Sequence, residues 1–298
     1  MKIFVTGGSG YIGSRVVQDL VANGHDVEGL SRSEKSDAKL EALGARPVRG
    51  DLVDHGALKR GIQRAEGVIH LAFGSFSQDM SENFASGRIE ADAISVMGDE
   101  VAGTDKPLVT TSGCGLIADG VVLTEAMKRP ADEGLFRVSE QMTSEVVARG
   151  AKAMVVRIPQ VSGPENEGFV PLLIQLARVH GFAAYVGEGR NRWPAAYVED
   201  AAALYRLVVE KGRAGQIYHA VAEEGVTLRD IASVIAEKLN VPISSLAAAE
   251  AESYFRQFTM FASMDNPVSS ASTRKELGWE PQGPIMLEVM HNGDYFDG

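Results

Sequence analysis

Residues 6–13 read Thr-Gly-Gly-Ser-Gly-Tyr-Ile-Gly and lie between a short apolar run, Lys2 to Thr6, and an amphipathic stretch, Tyr11 to Ala22. The run is typical of a buried strand and the stretch has helical spacing. The glycines at 7, 10 and 13 therefore occupy a strand-to-helix turn, where they allow a tight bend and a close approach of backbone to a pyrophosphate. The segment predicts a dinucleotide-binding loop formed by Gly7, Gly10, Tyr11, Ile12 and Gly13. The alternative is a glycine-rich turn with no ligand.

The rest of the amino-terminal half repeats this alternation of apolar runs and helical stretches. The first helix ends at Asn23-Gly24, a helix-terminating pair, and the run Val27 to Leu30 completes a βαβ unit with a right-handed crossover. Further strands are predicted at Arg46 to Arg49, Gly67 to Leu71, Pro107 to Thr111 and Ala153 to Ile158. The alternation predicts an α/β fold of the Rossmann type, a doubly wound parallel sheet covered on both faces.

The pattern loosens after Gly163-Pro164, where helical stretches alternate with only one strand candidate, at Gln216 to Ala220. We therefore predict a dinucleotide-binding domain over residues 1–163. Residues 164–298 are predicted to form mainly a small α/β substrate lobe, with some segments returning to the core sheet. A substrate would bind between the two parts.

The composition argues against several classes of function. The chain has 298 residues, with 29 basic and 40 acidic side chains and a formal net charge of −11, so a general electrostatic attraction to nucleic acid or anionic lipid is not expected. Its single cysteine, Cys114, allows no internal disulfide, and neither a secretory signal nor a run of about 18 apolar residues is found. The six histidines show no ligand spacing. We expect a cytoplasmic protein without a metal site, a membrane partner or a nucleic-acid partner.

Two residues at the end of the second strand bear on the choice of coenzyme. In dinucleotide-binding folds an acidic residue at this point usually holds the adenosine ribose, but here the chain reads Ser31-Arg32. A hydroxyl and a guanidinium suit a 2′-phosphate, and no carboxylate is present there to repel one. The pair favours NADP over NAD, unless Arg32 is an ordinary solvated charge.

With these features the chain resembles the short-chain dehydrogenase/reductase superfamily, in its extended or atypical branch related to the NAD-dependent epimerase/dehydratase family. The resemblance runs along nearly the whole chain. Beside the glycine motif it rests on Gly50-Asp51-Leu52, His70-Leu71-Ala72, Thr111-Ser112-Gly113, Arg157 to Pro164, Tyr197-Val198-Glu199-Asp200 and Ser269 to Trp279.

The resemblance also implies the remaining cofactor contacts. Asp51 would contact the adenine amino group with Leu52 beside the ring, although an aspartate here can instead cap a turn or a helix. The segment Leu71-Ala72-Phe73 would line the central stretch of the cofactor. Pro159 and Val161 match positions near the nicotinamide, or else only constrain the loop.

The catalytic pair of the family is absent from this chain. By the resemblance, members of the family share a Tyr-x-x-x-Lys pair on one helix. The lysine of this pair lowers the tyrosine pKa and holds the nicotinamide ribose. Aligning that helix places Phe136 and Glu140 at the two positions. Phe136 has no proton to donate, and Glu140 carries the opposite charge to lysine. Arg137 is rotated by about 100° from Phe136 on a helix, and the sequence assigns it no catalytic role.

Three residues remain as catalytic candidates. Ser112 matches the upstream serine that orients the carbonyl in the family, but its hydroxyl can equally satisfy backbone at a strand end. Asp92 lies on the predicted helix before the fifth strand, near the position of a family asparagine, and Tyr197 precedes a helix start and could face the cleft. The alternatives are an ordinary helix carboxylate and a packing tyrosine.

Three hypotheses for the function follow. The first is an NADP-dependent oxidoreductase that transfers hydride to or from a carbonyl or alcohol of a small, apolar or carbonyl-containing molecule, as a monomer or homodimer. The second is a non-catalytic NADP(H) sensor that kept the cofactor site and lost the Tyr/Lys pair. The third is an epimerase or isomerase that uses the cofactor transiently, which needs an acid/base pair that the sequence does not reveal.

Overall fold

The computed structural model of the chain describes residues 1–74, 80–115, 119–128, 137–164 and 168–296. Strands and helices alternate through its amino-terminal half. They are β1 (Lys2–Thr6), α1 (Tyr11–Ala22), β2 (Asp26–Ser31), α2 (Glu34–Ala42), β3 (Arg46–Arg49), α3 (His55–Arg64), β4 (Gly67–His70), α4 (Met80–Val101), β5 (Pro107–Gly113), α5 (Ser139–Ala148) and β6 (Lys152–Ile158).

The carboxyl-terminal half mixes shorter strands with helices. Its elements are β7 (Gln160–Ser162), α6 (Phe169–His180), β8 (Ala183–Val186), β9 (Arg192–Tyr197), α7 (Val198–Lys211), β10 (Ile217–His219), β11 (Glu223–Thr227), α8 (Leu228–Leu239), β12 (Ile243–Leu246), α9 (Ala248–Phe255), α10 (Thr259–Ser263), α11 (Ala271–Leu277) and α12 (Met286–Asn292).

The central sheet has seven strands in the order β10-β6-β5-β4-β1-β2-β3, and every neighbouring pair is parallel. From β1 the chain builds outward to β3 in one direction and then returns to add β4 on the other side. The carboxyl ends of β1 and β4 are therefore the switch point, where doubly wound sheets bind their ligands. The predicted fold class is confirmed.

Helices cover both faces of this sheet because its strands are buried on both sides. One face packs against α1, α2 and α7 through a core that includes Val17, Leu40 and Tyr205. The other face packs against α3, α4 and α5 through a core that includes Leu58, Met97 and Val146. These six helices therefore enclose the two faces of the sheet.

The carboxyl-terminal half also forms two small sheets and a core of its own. The small sheets have the orders β11-β9-β7 and β12-β8, and their core is built mainly from α6, α8, α9 and α12. Other segments belong to the central sheet, because β10 pairs with β6 and the buried Trp279 packs in the core of α1 and α7. The division at residue 163 stays a prediction.

The described residues form neither a membrane-spanning helix nor a cluster of metal ligands. None of their helices combines the length and the apolar character that crossing a membrane requires. The same part of the chain contains no group of three His, Cys, Asp or Glu side chains able to hold a metal ion.

Candidate active site

The glycine motif forms the tight turn between β1 and α1. Gly7 has a φ of 75°, in the left-handed region that favours glycine. A Cβ added to Gly7 would lie 2.7 Å from the backbone nitrogen of Ala72, and one added to Gly13 would lie 2.0 Å from the carbonyl oxygen of Gly7. Gly10 is the N-cap of α1 and contributes no capping side chain. The turn therefore leaves the start of α1 open to an anion.

Tyr11 and Ile12 begin α1 and anchor it in two directions. The phenol oxygen of Tyr11 would lie 2.2 Å from a Cβ added to Gly163, so this ring packs against the chain just after β7. Ile12 packs on the core shared by α1 and α7. The two side chains hold the helix start, and any contact with phosphate is left to their backbone.

A buried pair of side chains joins the carboxyl ends of β1 and β4. Thr6 Oγ1 lies 2.6 Å from Nδ1 of His70, and the N–H of Leu71 donates to the carbonyl of Thr6 over 3.1 Å. Burial, and after it the charge of Arg137, lowers the pKa of His70 to about 3. The ring is therefore neutral near pH 7. This link places Leu71 and Ala72 directly beside the glycine turn.

Hydrogen bonds of two serine hydroxyls stabilise the turn after β2, and an arginine in this turn is exposed. The buried hydroxyl of Ser31 donates to the carbonyl of Ser33 over 3.1 Å, and Ser33 Oγ accepts from the N–H of Ser36 and caps α2. Ser31 therefore shapes the turn, because its one proton is already used. Arg32 is exposed and makes no hydrogen bond or ion pair with any residue that the structure describes.

Asp51 caps a turn, which is the alternative to adenine contact that the sequence left open. Its Oδ1 accepts from the N–H groups of Val53 and Asp54, both at 3.0 Å. Its Oδ2 makes no hydrogen bond with the described residues and remains available to an amine. Leu52 is half-buried against the core of α3 and α4. Both residues follow the carboxyl end of β3, and their contact with an adenine ring stays a prediction.

Pro159 and Val161 lie where the chain passes from the central sheet into the smaller sheet. Both are half-buried, and Val161 pairs with Ala196 across the parallel strands β7 and β9. This position is at the carboxyl end of β6, on the same edge as the ends of β1 and β4. The structure therefore brings both residues to the carboxyl edge of the sheet.

The helix on which the family resemblance predicts the catalytic pair is joined here to β6 by an ion pair. Phe136 lies outside the described residues. The Glu140 carboxylate accepts from Nε and Nη2 of Arg157 over 2.9 and 2.7 Å. The side chain of Arg157 is only 1% exposed, and it also donates to the carbonyl of Met127. Glu140 therefore neutralises a buried arginine and cannot replace a lysine.

His219 completes this buried network. Its Nδ1 lies 2.7 Å from the carbonyl oxygen of Ser269, and because a carbonyl only accepts, Nδ1 carries the proton. Nε2 then accepts from Arg157 Nη1 over 3.1 Å. Burial lowers the pKa of His219 to about 4, consistent with a neutral ring that can accept this hydrogen bond.

The three catalytic candidates have different surroundings. Ser112 is buried near the carboxyl end of β5, and its hydroxyl makes no hydrogen bond with the described part of the chain. Asp92 is exposed on α4. Tyr197 packs its ring against the carboxyl-terminal segment, since a Cβ on Gly283 would lie 2.5 Å from its Cδ1. Of the three, Ser112 is the one whose hydroxyl is an unused donor among the described residues, near the carboxyl edge of the central sheet.

These features agree with the comparison to known sequences. A profile of the NAD dependent epimerase/dehydratase family matches residues 3–97 and 136–221. The chain belongs to this family. The predicted membership of the extended branch of short-chain dehydrogenases/reductases is confirmed.

Relatives and structural neighbours of this epimerase/dehydratase-family chain include both reductases and dehydratases. An uncharacterized protein of Saccharomyces cerevisiae is 41% identical and covers 97% of each chain. The 4-hydroxy-2-methyl-3-oxo-4-farnesyl-3,4-dihydroquinoline-1-oxide ketoreductase of Stigmatella aurantiaca is 28% identical over 84% of this chain and 78% of its own. DesIV, a dTDP-glucose 4,6-dehydratase of Streptomyces venezuelae solved with NAD, has the same fold, with a TM-score of 0.77 and 21% identity over 99% of this chain and 96% of its own.

The sequence did not indicate a contact between Arg137 and Glu90 next to Phe73. Nε and Nη2 of Arg137 donate to Glu90 Oε1 over 3.2 and 3.1 Å, and its Cζ lies 4.7 Å from the centroid of the Phe73 ring. Glu90 is fully buried and burial raises its pKa, against the opposing charge of Arg137. The available signal was the spacing of Glu90, which precedes the buried Ala93 and Ile94 by three and four residues on one helix face.

The two neutral histidines predict that acid destabilises the fold. Their ordinary pKa of 6.5 is lowered in the folded state to about 3 for His70 and about 4 for His219. Below pH 6.5 the unfolded chain therefore binds protons that the folded chain does not, and the free energy of unfolding falls as the pH falls. Each histidine should account for about 2 kcal/mol of that loss at pH 5.

Urea denaturation at pH 7 and pH 5 measures this effect. His219→Asn should have a shallower pH dependence than the unsubstituted protein, whereas Gln63→Asn, at an exposed position on α3, removes no titratable group and should leave the pH dependence unchanged. Equal pH dependence in all three proteins would show that the buried rings do not control it.

Proposed function

We propose that this protein is an NADP-dependent oxidoreductase that transfers hydride between NADPH and the carbonyl carbon of a small apolar molecule. The observation that carries the proposal is the exposed Arg32 beside the glycine turn, which pairs with none of the residues that the structure describes. In other dinucleotide-binding folds an acidic residue at this point selects NAD. The cradle fits a dinucleotide, because Cβ atoms at Gly7 or Gly13 would clash with the backbone that closes it.

Each part of the site has a role in this proposal. NADPH, when bound, supplies the hydride. The open start of α1 binds the diphosphate through backbone N–H groups, and Arg32 holds the 2′-phosphate. The Ser112 hydroxyl, which makes no hydrogen bond with the described residues, donates to the substrate carbonyl and orients it. With no tyrosine at residue 136, water delivers the proton that completes the alcohol.

The smaller lobe favours an uncharged substrate. Arg192 near the start of β9 is neutralised by Asp265, whose carboxylate accepts over 2.8 and 2.6 Å. Phe169 packs against Trp193 and Phe261 with ring centroids 5.8 and 5.4 Å apart, which forms an apolar cluster next to that pair. The Stigmatella relative, by its name, reduces a ketone on a farnesyl-bearing molecule. These features support an apolar ketone as the substrate class.

Replacing Arg32 with alanine tests the coenzyme preference. Arg32→Ala should raise the Kd for NADPH by about 10- to 100-fold, because a hydrogen bond to a charged group contributes about 1.5–3 kcal/mol. The Kd for NADH should not change. Arg46→Ala is the matched control. Arg46 begins β3 at the amino edge of the sheet, whereas Arg32 follows the carboxyl end of β2, and Arg46 pairs with Asp26. Equal affinities of the unsubstituted protein for NADPH and NADH would contradict the proposal.

A non-catalytic NADP(H) sensor is the second candidate. It is favoured by one observation, the engagement of Glu140 by Arg157 where relatives have the catalytic lysine. The two functions differ in turnover. Tight NADPH binding with no NADPH oxidation across a panel of apolar ketones would support the sensor, and oxidation coupled to alcohol formation would support the reductase.

A further inference from the structure

We propose that Arg137 holds the nicotinamide ribose of the bound cofactor and so takes over the binding role of the missing lysine. This inference rests on the proposed function, because it concerns the same cofactor. It assigns a binding residue at a position where the sequence indicated none.

The Arg137 guanidinium is held in place by Glu90, but one of its nitrogen atoms has no hydrogen-bond acceptor among the described residues. Nε and Nη2 both donate to Glu90 Oε1, while Nη1 makes no hydrogen bond with the described residues. Glu90 is buried, and the Arg137 side chain is 20% exposed. The buried carboxylate thus orients a guanidinium that still has a free donor group in reach of a ligand. Ribose hydroxyls are neutral acceptors, so the role requires a positioned donor more than a net charge.

The location of Arg137 follows first from Phe73. This residue comes three positions after the end of β4, in the segment whose Ala72 nitrogen would lie 2.7 Å from a Cβ on Gly7. Arg137 stacks on the Phe73 ring at 4.7 Å. The guanidinium is therefore connected to the segment that flanks the glycine turn, at the switch point of the sheet.

The start of α5 gives an independent location. Thr110 on β5 contacts Thr143 on α5 through their hydroxyls at 2.7 Å, and a crossover helix runs antiparallel to its strands. Two residues along a strand advance about 6.6 Å, and four residues back along a helix about 6 Å. Ser112 and Ser139 therefore lie at the same level of the carboxyl edge, and Arg137 precedes Ser139 by two residues. Arg137 thus reaches the edge beside Ser112.

Comparing the affinities for two ligands distinguishes a contact of Arg137 with the nicotinamide ribose from a general effect on the fold or on the charge. Titrations monitored by calorimetry would use NADPH and adenosine 2′,5′-bisphosphate, which has the 2′-phosphate but no nicotinamide ribose. Because removal of Arg137 alone leaves a buried unpaired carboxylate, the comparison is between Glu90→Gln and the double variant Glu90→Gln/Arg137→Met. The single variant Arg137→Lys tests rescue by a shorter donor.

The double variant should bind NADPH about 5- to 10-fold more weakly than Glu90→Gln, since one hydrogen bond contributes about 1 kcal/mol. The Kd of the double variant for adenosine 2′,5′-bisphosphate should equal that of Glu90→Gln. The increase in nicotinamide fluorescence when NADPH binds should be smaller in the double variant than in Glu90→Gln. Arg137→Lys should retain part of the affinity. Arg32→Ala should weaken both ligands, which is the reverse pattern.

The other outcomes are distinguishable. If the double variant binds both ligands as Glu90→Gln does, Arg137 does not contact the cofactor and the inference is wrong. If it weakens both ligands equally, Arg137 has only a structural role and the inference is also wrong. If the unsubstituted protein binds neither ligand, the proposed function itself fails.

Discussion

Gly13→Ala is expected to abolish detectable binding of both NADPH and NADH. The added Cβ would lie 2.0 Å from the carbonyl oxygen of Gly7 and 2.8 Å from its carbonyl carbon, so the turn must open by more than an ångström. Opening it moves the N–H groups at the start of α1 away from the diphosphate. We expect affinity to fall more than about 100-fold, equivalent to about 2.7 kcal/mol.

Isothermal titration with each coenzyme measures this loss, and circular dichroism shows whether the variant is folded. Gly56→Ala is a suitable control, because Gly56 lies on the first turn of α3, away from the cradle, and its added Cβ would meet only the ends of flexible side chains. A folded Gly13→Ala protein with nearly unchanged affinity would mean that the glycine turn does not form the cofactor site.

Glu140→Lys should destabilise the protein although it restores the residue type of the family. The new ammonium would face Arg157, whose side chain is 1% exposed and now donates twice to the Glu140 carboxylate. Breaking one partner of a buried ion pair costs about 3–5 kcal/mol, and here repulsion adds to that cost. Turnover should not rise above that of the unsubstituted protein, because residue 136 is still phenylalanine and offers no proton.

Urea denaturation checks this prediction against two controls. Glu140→Gln keeps a hydrogen-bond acceptor and should cost less than the lysine variant. Glu145→Lys, at an exposed position of the same helix, should change the free energy of unfolding by less than about 0.5 kcal/mol. If Glu140→Lys is as stable as the unsubstituted protein, the Glu140–Arg157 pair is not an essential part of the fold.

The sequence predicts the central sheet well because its signals are local. The predicted bounds of β1 and α1 agree with the structure, since an apolar run, a glycine turn and a helix-terminating pair lie next to one another. The small sheets were not predicted. The strand β7 has only three residues and pairs with β9, and β8 pairs with β12 more than 50 residues away. Such short strands form through distant partners and leave little pattern in the sequence.

The site shows the same division. The glycine turn requires that residues 7 and 13 have no Cβ, because a Cβ there would clash with the backbone. The spacing of the glycines shows this requirement in the sequence. The partners of Glu140 and Arg137 were not readable. Glu140 meets Arg157 across 17 residues, and Arg137 meets Glu90 across 47. These contacts exist only once α4, α5 and the sheet have packed together.

Calorimetric titration of the 298-residue chain with NADPH tests the central claim most directly. We predict saturable binding of one NADPH per chain, tighter than that of NADH. Absence of heat and of saturation with both coenzymes, in reduced and oxidised form at millimolar concentration, would contradict the account.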